Sequence, residues 1–160
     1  MEAGELTEVQ ERIWVAERLA PDRPGCGVSW AVRLRGRLDL PALRSALQGV
    51  VRGHEVLGAA FPTGRDGRPV RVPAAEPAFD LAVRHLGGAG EAAIAAAVRQ
   101  EALAPFDVAR GPLVRARLLE AGADDHVLVL VAHGLVCDRR SLAILAGEVS
   151  ARYRALVAAG

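Results

Sequence analysis

Lysine is absent from this sequence, and all 20 of its basic residues are arginine. Positive and negative charges are nearly balanced, because 19 acidic residues leave a formal net charge of +1. A domain that binds nucleic acid normally carries a basic patch or stripe. The charge balance therefore predicts no nucleic-acid partner.

Cysteine is scarce, with only Cys26 and Cys137 in the chain. The two lie far apart and lack the close ligand spacing of a zinc site, so we expect no bound metal. One disulfide would be compatible with this count, but free thiols in a cytosolic protein are favoured.

Long hydrophobic runs are also missing. The longest, VLVLVA at residues 127–132, is far too short to cross a bilayer, and the opening MEAGELTEVQ lacks the pattern of a signal peptide. The GRDGRP stretch at residues 64–69 does not match a phosphate-binding loop, so no cofactor is expected. We expect a cytoplasmic protein without a membrane segment.

The chain does contain enough apolar material for one folded core. Hydrophobic residues make up 51% of its 160 residues, a length that suits one domain. Thr7 and Gln10 fit a capping box, and they predict a first helix to about Leu19 with a stripe of Val9, Ile13, Trp14 and Ala16. Asp39, followed by Pro41, predicts a second helix, whose inward positions are Leu43, Ala46, Leu47, Val50 and Val51.

Alternating patterns predict strands within residues 28–38, 79–86, 111–121 and 125–133, and a further hairpin within 61–73. Helical patterns cover residues 90–104 and the region that starts at Asp138 or Ser141. The 125–133 segment is apolar on both faces, which predicts a strand in the middle of the sheet. Four helices and five or six strands indicate an α/β domain, with a mixed sheet covered by helices.

Four stretches, in order, resemble the amino-terminal half of the condensation domain of nonribosomal peptide synthetases. In the first, Thr7, Gln10, Arg12 and Trp14 stand at the positions of the family's opening motif. The four stretches are LTEVQERIWVAERLAPDRPG (6–25), LRGRLDLPALRSALQGVVRGHEVLGAAF (34–61), APFDVARGPLVRARLLE (104–120) and VLVLVAHGLVCDRRSLAILAGEVSARY (127–153).

The family's catalytic motif is His-His-x-x-x-Asp-Gly, in which the second histidine is assigned to the amine nucleophile. In this sequence His133 is the first histidine, Gly134 takes the place of the second, Asp138 is the aspartate and Arg139 replaces the glycine. Glycine can neither accept a proton nor orient an amine. The resemblance therefore implies a degenerate site with no active catalytic residue.

The family also gives each remaining motif position an expected role. His133 is expected to be structural, beneath the loop, and Asp138 to shape the loop through an ion pair or hydrogen bonds, with Arg139 or Arg140 as candidate partners. Arginine accepts a positive φ less readily than glycine, so a changed loop shape is expected.

The second of the four stretches departs from the family as well. It has Gly53 and Gly58 where the family usually has arginine, but it keeps His54, which is expected to cap a helix end.

The resemblance implies a single chloramphenicol-acetyltransferase-like lobe. Residues 1–160 would be a partial condensation domain, the amino-terminal lobe, and the carboxy-terminal lobe would be absent. The side of the sheet that faces the cleft would then be uncovered, and such a surface usually implies a partner. Candidates are an adjacent adenylation domain, a carrier protein with its phosphopantetheine arm, or a second copy of the chain.

Three functions follow from the resemblance. The favoured one is a catalytically inactive structural or docking element in a nonribosomal peptide assembly line of secondary metabolism, such as antibiotic biosynthesis. One expected place for it is ahead of an adenylation domain in a loading module. The second is enzymatic: one lobe of a split condensation or acyltransferase site completed by a partner chain. The third is a recruitment module for a tailoring enzyme.

Isolated polar residues suggest no other site. His85 and His126 are expected to face solvent, and His126 with Asp124 and Asp125 is expected to form a polar hairpin turn. A Cys137–His133 dyad is disfavoured, because nothing in the sequence fixes a contact between the two side chains.

Overall fold

The computed structural model describes residues 6–19, 26–74 and 79–160. Its elements are α1 (Glu8–Leu19), β1 (Gly27–Arg35), α2 (Leu40–Gly53), a short 3₁₀ helix (Glu55–Gly58), β2 (Leu81–His85), α3 (Glu91–Leu103), β3 (Val114–Gly122), β4 (Asp125–His133) and α4 (Arg139–Ala159). The predicted α/β class is confirmed. The predicted number of strands is too high, since the described residues form one four-stranded sheet.

The sheet is mixed, with strand order β1-β4-β3-β2. β4 pairs antiparallel with both β1 and β3, whereas β2 runs parallel to β3. Every residue of β4 after Asp125 is buried, which confirms the predicted central strand. An apolar strand that is covered on both faces belongs in the interior of a sheet.

Helices cover both faces of the sheet. α2 and α4 pack on the face that carries Leu118, Leu128 and Leu130, and α3 packs on the face that carries Val129 and Val131. The expected uncovered sheet face is therefore wrong for the described part of the chain. The alanine-rich α3, which buries Ile94 and Ala97, supplies the second cover.

Helix α1 begins with the predicted capping box. The Gln10 backbone N–H donates to Thr7 Oγ1 at 3.2 Å, and the Thr7 backbone N–H donates to Gln10 Oε1 at 3.0 Å. The predicted inward stripe is only partly right, because Trp14 is buried and Val9 is 64% exposed. The Trp14 indole N–H donates to the carbonyl of Phe61 at 3.0 Å, and this bond turns the tryptophan side of α1 inward.

Helix α2 confirms its prediction in detail. The Asp39 side chain accepts from the Ala42 backbone N–H, and Pro41 lies in the first turn. The buried residues are the five predicted ones: Leu43, Ala46, Leu47, Val50 and Val51. Burying a leucine or valine side chain stabilises the fold by about 1.5–3 kcal/mol.

Two other predictions are changed. The hairpin in residues 61–73 is reduced to two isolated antiparallel bridges, Ala60–Val72 and Thr63–Pro69. His126 does not face solvent: it is 7% exposed, because β4 is the central strand and both of its faces are covered. Residues 20–25, between the predicted first helix and first strand, lie outside the described residues.

Candidate functional site

The motif residues form the connection between the end of β4 and the start of α4. His133 is the last residue of β4, and Arg139 is the first of α4. The turn between them is closed by hydrogen bonds from the Val136 and Cys137 backbone N–H groups to the His133 carbonyl, at 3.0 and 3.1 Å. The loop is thus fixed at the place where a buried strand gives way to a helix.

His133 has both ring nitrogens engaged within the protein. Its side chain is 1% exposed. Nδ1 accepts from the Leu135 backbone N–H at 3.2 Å, and Nε2 lies 3.1 Å from Glu17 Oε1. Because Nδ1 is the acceptor, Nε2 carries the proton and donates to the carboxylate. The Phe106 ring also packs edge-on against the imidazole. This arrangement leaves neither nitrogen to a substrate.

Gly134 lies against the backbone at the start of β1. Its N–H donates to the Cys26 carbonyl oxygen at 2.6 Å. A Cβ atom at position 134 would meet that same oxygen at 2.7 Å, with Cys26 Cβ at 3.5 Å and Ile13 Cδ1 at 3.7 Å. The space that a side chain would need is therefore occupied by main chain, and only glycine fits without a shift.

Asp138 is the N-cap of α4. Its carboxylate accepts from the Ser141 backbone N–H at 2.7 Å. The hydrogen bonds from Ser141 keep the pKa of Asp138 below its usual value. Of the two expected modes Asp138 shows the hydrogen bond, and no ion pair of its carboxylate with the exposed Arg139 or Arg140 is found among the described residues.

Arg139 shows no backbone strain. It begins α4, and no described residue other than glycine has a positive φ. The motif position that the family fills with glycine is thus an ordinary helical one here. The physical reason is that the Asp138 cap starts the helix directly after the loop.

Both cysteines are free thiols, and neither is set up as a nucleophile. Burial raises the pKa of Cys137 to about 11, and its thiol donates to the Asp138 carbonyl at 3.3 Å. Burial and then the neighbouring Glu17 carboxylate raise the pKa of Cys26. A thiol must ionise to attack, so both shifts oppose reactivity at neutral pH.

Two acidic residues of this region could not be recognised from the sequence. Glu17 contacts His133, and Glu148 of α4 lies 2.9 Å from Nε2 of His54, the C-cap of α2. Only their helical positions mark them as inward-facing.

The glycines at the end of α2 have a neighbour that the sequence did not reveal either. A Cβ at Gly49 would meet Arg152 Nη1 at 3.0 Å, and one at Gly53 would meet Nη2 at 4.0 Å. A guanidinium from α4 therefore lies close to Gly53, a position where the family usually has an arginine.

Two other classes of site are absent from the described ranges. Within them, no three His, Cys, Asp or Glu side chains are grouped so that they could hold a metal ion. No described helix combines the length and apolarity needed to span a membrane.

Comparison with known proteins gives the same family over nearly the whole chain. The family model for the condensation domain matches residues 2–159. The chondramide synthase cmdD of Chondromyces crocatus is 34% identical over 157 residues, which are 96% of this chain and 4% of that protein.

Solved structures agree with this assignment. The first condensation domain of the calcium-dependent antibiotic synthetase superposes with a TM-score of 0.87 at 27% identity, covering 99% of this chain and 39% of that one. The X-domain in its complex with OxyB from teicoplanin biosynthesis gives a TM-score of 0.81 at 28% identity, covering 96% of this chain and 33% of that one. The chain thus spans well under half of the length of each of these three proteins. It belongs to the condensation-domain family of nonribosomal peptide synthetases.

Proposed function

We propose that this chain is a catalytically inactive, partial condensation domain that works as a structural or docking element of a nonribosomal peptide assembly line. In this proposal residues 1–160 are the amino-terminal lobe. The observation that carries it is the contact of Gly134 with the Cys26 carbonyl, because a side chain that could act on an amine has no room there. His133 cannot take over, since both of its nitrogens are bound within the protein.

The outer face of α1 supports a docking role. Leu19 is 81% exposed and Val9 is 64% exposed, although the same helix buries Trp14 on its other side. Exposed large apolar residues grouped on one element often mark an interaction surface. We take this α1 face, with Val9, Val15 and Leu19, as the proposed contact surface.

The test measures binding to defined partners. The purified chain is titrated against the adenylation domain and against the carrier protein of its own assembly line, by isothermal titration calorimetry. We expect micromolar binding to at least one of them, and at least tenfold weaker binding by the Leu19→Asp variant. Val72→Asp is the matched control, because Val72 is 42% exposed outside α1. Failure to bind either partner would contradict the docking role.

A recruitment module is the second candidate function. It is favoured by the likeness to the X-domain, a protein whose solved structure is a complex with OxyB. The same titration separates the two candidates when a tailoring enzyme of the pathway is added as a third partner. Binding to that enzyme alone would favour recruitment over docking within the assembly line.

The split-enzyme alternative requires a partner chain to bring the missing base. It predicts condensation activity when the chain is mixed with its partner. Its test is a condensation assay with aminoacyl carrier proteins as donor and acceptor, run with and without that partner.

A further inference from the structure

A cavity of about 550 Å³ opens between β1, the loop that follows it and α4. Trp30, Val32 and Leu34 of β1 form one wall, and α4 forms the other. His133, next to the motif loop, pairs with Gly27 at the start of β1, and His126 pairs with Leu34 near the end of that strand. The cavity, whose wall includes Leu34, therefore extends toward the end of β1 that lies away from the motif loop. Seven residues of strand separate Gly27 from Leu34, roughly 23 Å.

The cavity exists because the opposing side of α4 carries small residues. Ala143, Ala146, Gly147 and Ser150 recur at helical spacing along it. A Cβ at Gly147 would have no other atom within 4 Å. Ala143, Gly147 and Ser150 are exposed, so the cavity is open to solvent along α4 and a ligand can enter it from that side.

One arginine lines the end of the cavity without a carboxylate in contact. Arg37 follows Gly36, whose φ of +98° turns the chain at the end of β1. Among the described residues Arg37 forms no ion pair, whereas Arg33 binds Asp125. Arg35 pairs in register with Asp125, so its side chain shares the α3 face of the sheet with Arg33 and is not counted as part of the site.

Tyr153 adds a neutral donor to the same cavity. Its hydroxyl oxygen accepts from the Asp39 backbone N–H at 3.1 Å, which leaves the hydroxyl proton to be donated. An apolar body with donors at one end is the usual composition of a ligand pocket, and this volume lies within the usual range of about 300–1,000 Å³.

We propose that this cavity binds a small amphipathic carboxylate. The apolar part of the ligand packs against Trp30, Val32 and Leu34, where it replaces water. The carboxylate accepts from Arg37 and from the Tyr153 hydroxyl, since a guanidinium matches a carboxylate with two parallel hydrogen bonds. This site lies apart from the motif loop and does not depend on the docking role proposed above.

Decanoate, kept below its micelle concentration, is a suitable probe, with decan-1-ol as its neutral analogue. Calorimetric titration of the full chain should give one site per chain and a dissociation constant of about 10–500 μM, as expected for a ligand of this size. Decan-1-ol should bind at least fivefold more weakly. Absence of saturable decanoate binding, or equal affinity for the two probes, would overturn the proposal.

A cavity-filling variant locates the site. Gly147→Leu should weaken decanoate binding at least tenfold, and it should not lower the melting temperature, because leucine favours a helix more than glycine does. Ala151→Leu is the matched control on the same helix, outside the cavity lining, and should bind like the wild type. Wild-type affinity in Gly147→Leu would overturn the assignment.

A charge variant tests the role of Arg37. Arg37→Gln should lower the affinity for decanoate at least fivefold and leave that for decan-1-ol unchanged. Arg65→Gln, at an exposed arginine outside the cavity, is the control. Analytical ultracentrifugation at several protein concentrations tests whether a second copy of the chain occupies the cavity instead. A dimer whose formation excludes decanoate would assign the cavity to that second copy and overturn the proposal.

Discussion

The carbonyl oxygen of Cys26 lies 2.7 Å from the position that a Cβ atom of residue 134 would occupy. The obstacle is main chain, so no side-chain replacement at Cys26 would remove it. The Gly134 N–H donates to the same oxygen at 2.6 Å, which holds the loop against the start of β1. The glycine at position 134 and the close approach of the two backbones are thus one structural feature.

Gly134→Ala should therefore lower the free energy of unfolding by about 1–3 kcal/mol, the usual cost of forcing atoms into packed space. Gly134→His should cost at least as much and should not create condensation activity. Gly147→Ala is the matched control, because its Cβ meets nothing within 4 Å and alanine favours the helix. Urea unfolding of the three variants measures the difference, and a Gly134→Ala variant as stable as the wild type would refute the close contact.

His133 and Glu17 should be energetically coupled. His133→Ala is expected to lower the free energy of unfolding by about 2–4 kcal/mol, because it removes a buried side chain and leaves the Leu135 N–H without its acceptor. A double-mutant cycle with Glu17→Gln should give a coupling of about 0.5–1.5 kcal/mol. Strictly additive effects would show that the pair does not interact in solution.

Asp138 should make the stability of the chain depend on pH. Its pKa in the folded chain lies below the ordinary value of 3.8, so its carboxylate stabilises the fold at neutral pH. That stabilisation is complete above the unfolded pKa and is lost as the pH falls through the folded value. The melting-temperature difference between the wild type and Asp138→Asn, an uncharged cap, should therefore shrink from pH 7 to pH 2.5. A constant difference over this range would contradict the assignment.

The two cysteines should differ in reactivity. Cys26 is exposed, whereas Cys137 is buried and has a pKa raised to about 11. Iodoacetamide at pH 8 should modify Cys26 first, and the Cys26→Ser variant should remain almost unmodified until it is unfolded in urea. Mass spectrometry of the labelled peptides checks this order. Rapid labelling of Cys137 in the folded chain would mean that the motif loop opens.

Local patterns in the sequence predicted most of the fold. The Thr7–Gln10 capping box, the Asp39 cap and the central position of β4 each depend on a few neighbouring residues or on one apolar run. The prediction that His126 faces solvent was wrong, because it followed from the polar side chain and its place near a hairpin turn. The alternation of side chains along β4 puts His126 on the same buried face as Leu128.

The candidate site was predictable only in its residue types. The motif register predicted that Gly134 stands at the position of the family's second histidine, but it did not predict what fills the space beside Gly134. The contact with Cys26 and the pairing of His133 with Glu17 join segments that are distant in the sequence. No local pattern encodes such an approach, since tertiary packing decides it.

The most direct test of the central claim is a condensation assay with the unmodified chain. An aminoacyl carrier protein as donor and an aminoacyl carrier protein as acceptor are incubated with it, and intact-protein mass spectrometry detects the dipeptidyl carrier. A complete condensation domain that is active on the same carriers serves as the positive control. We predict no product above the level without the chain; turnover by the unmodified chain would contradict the account.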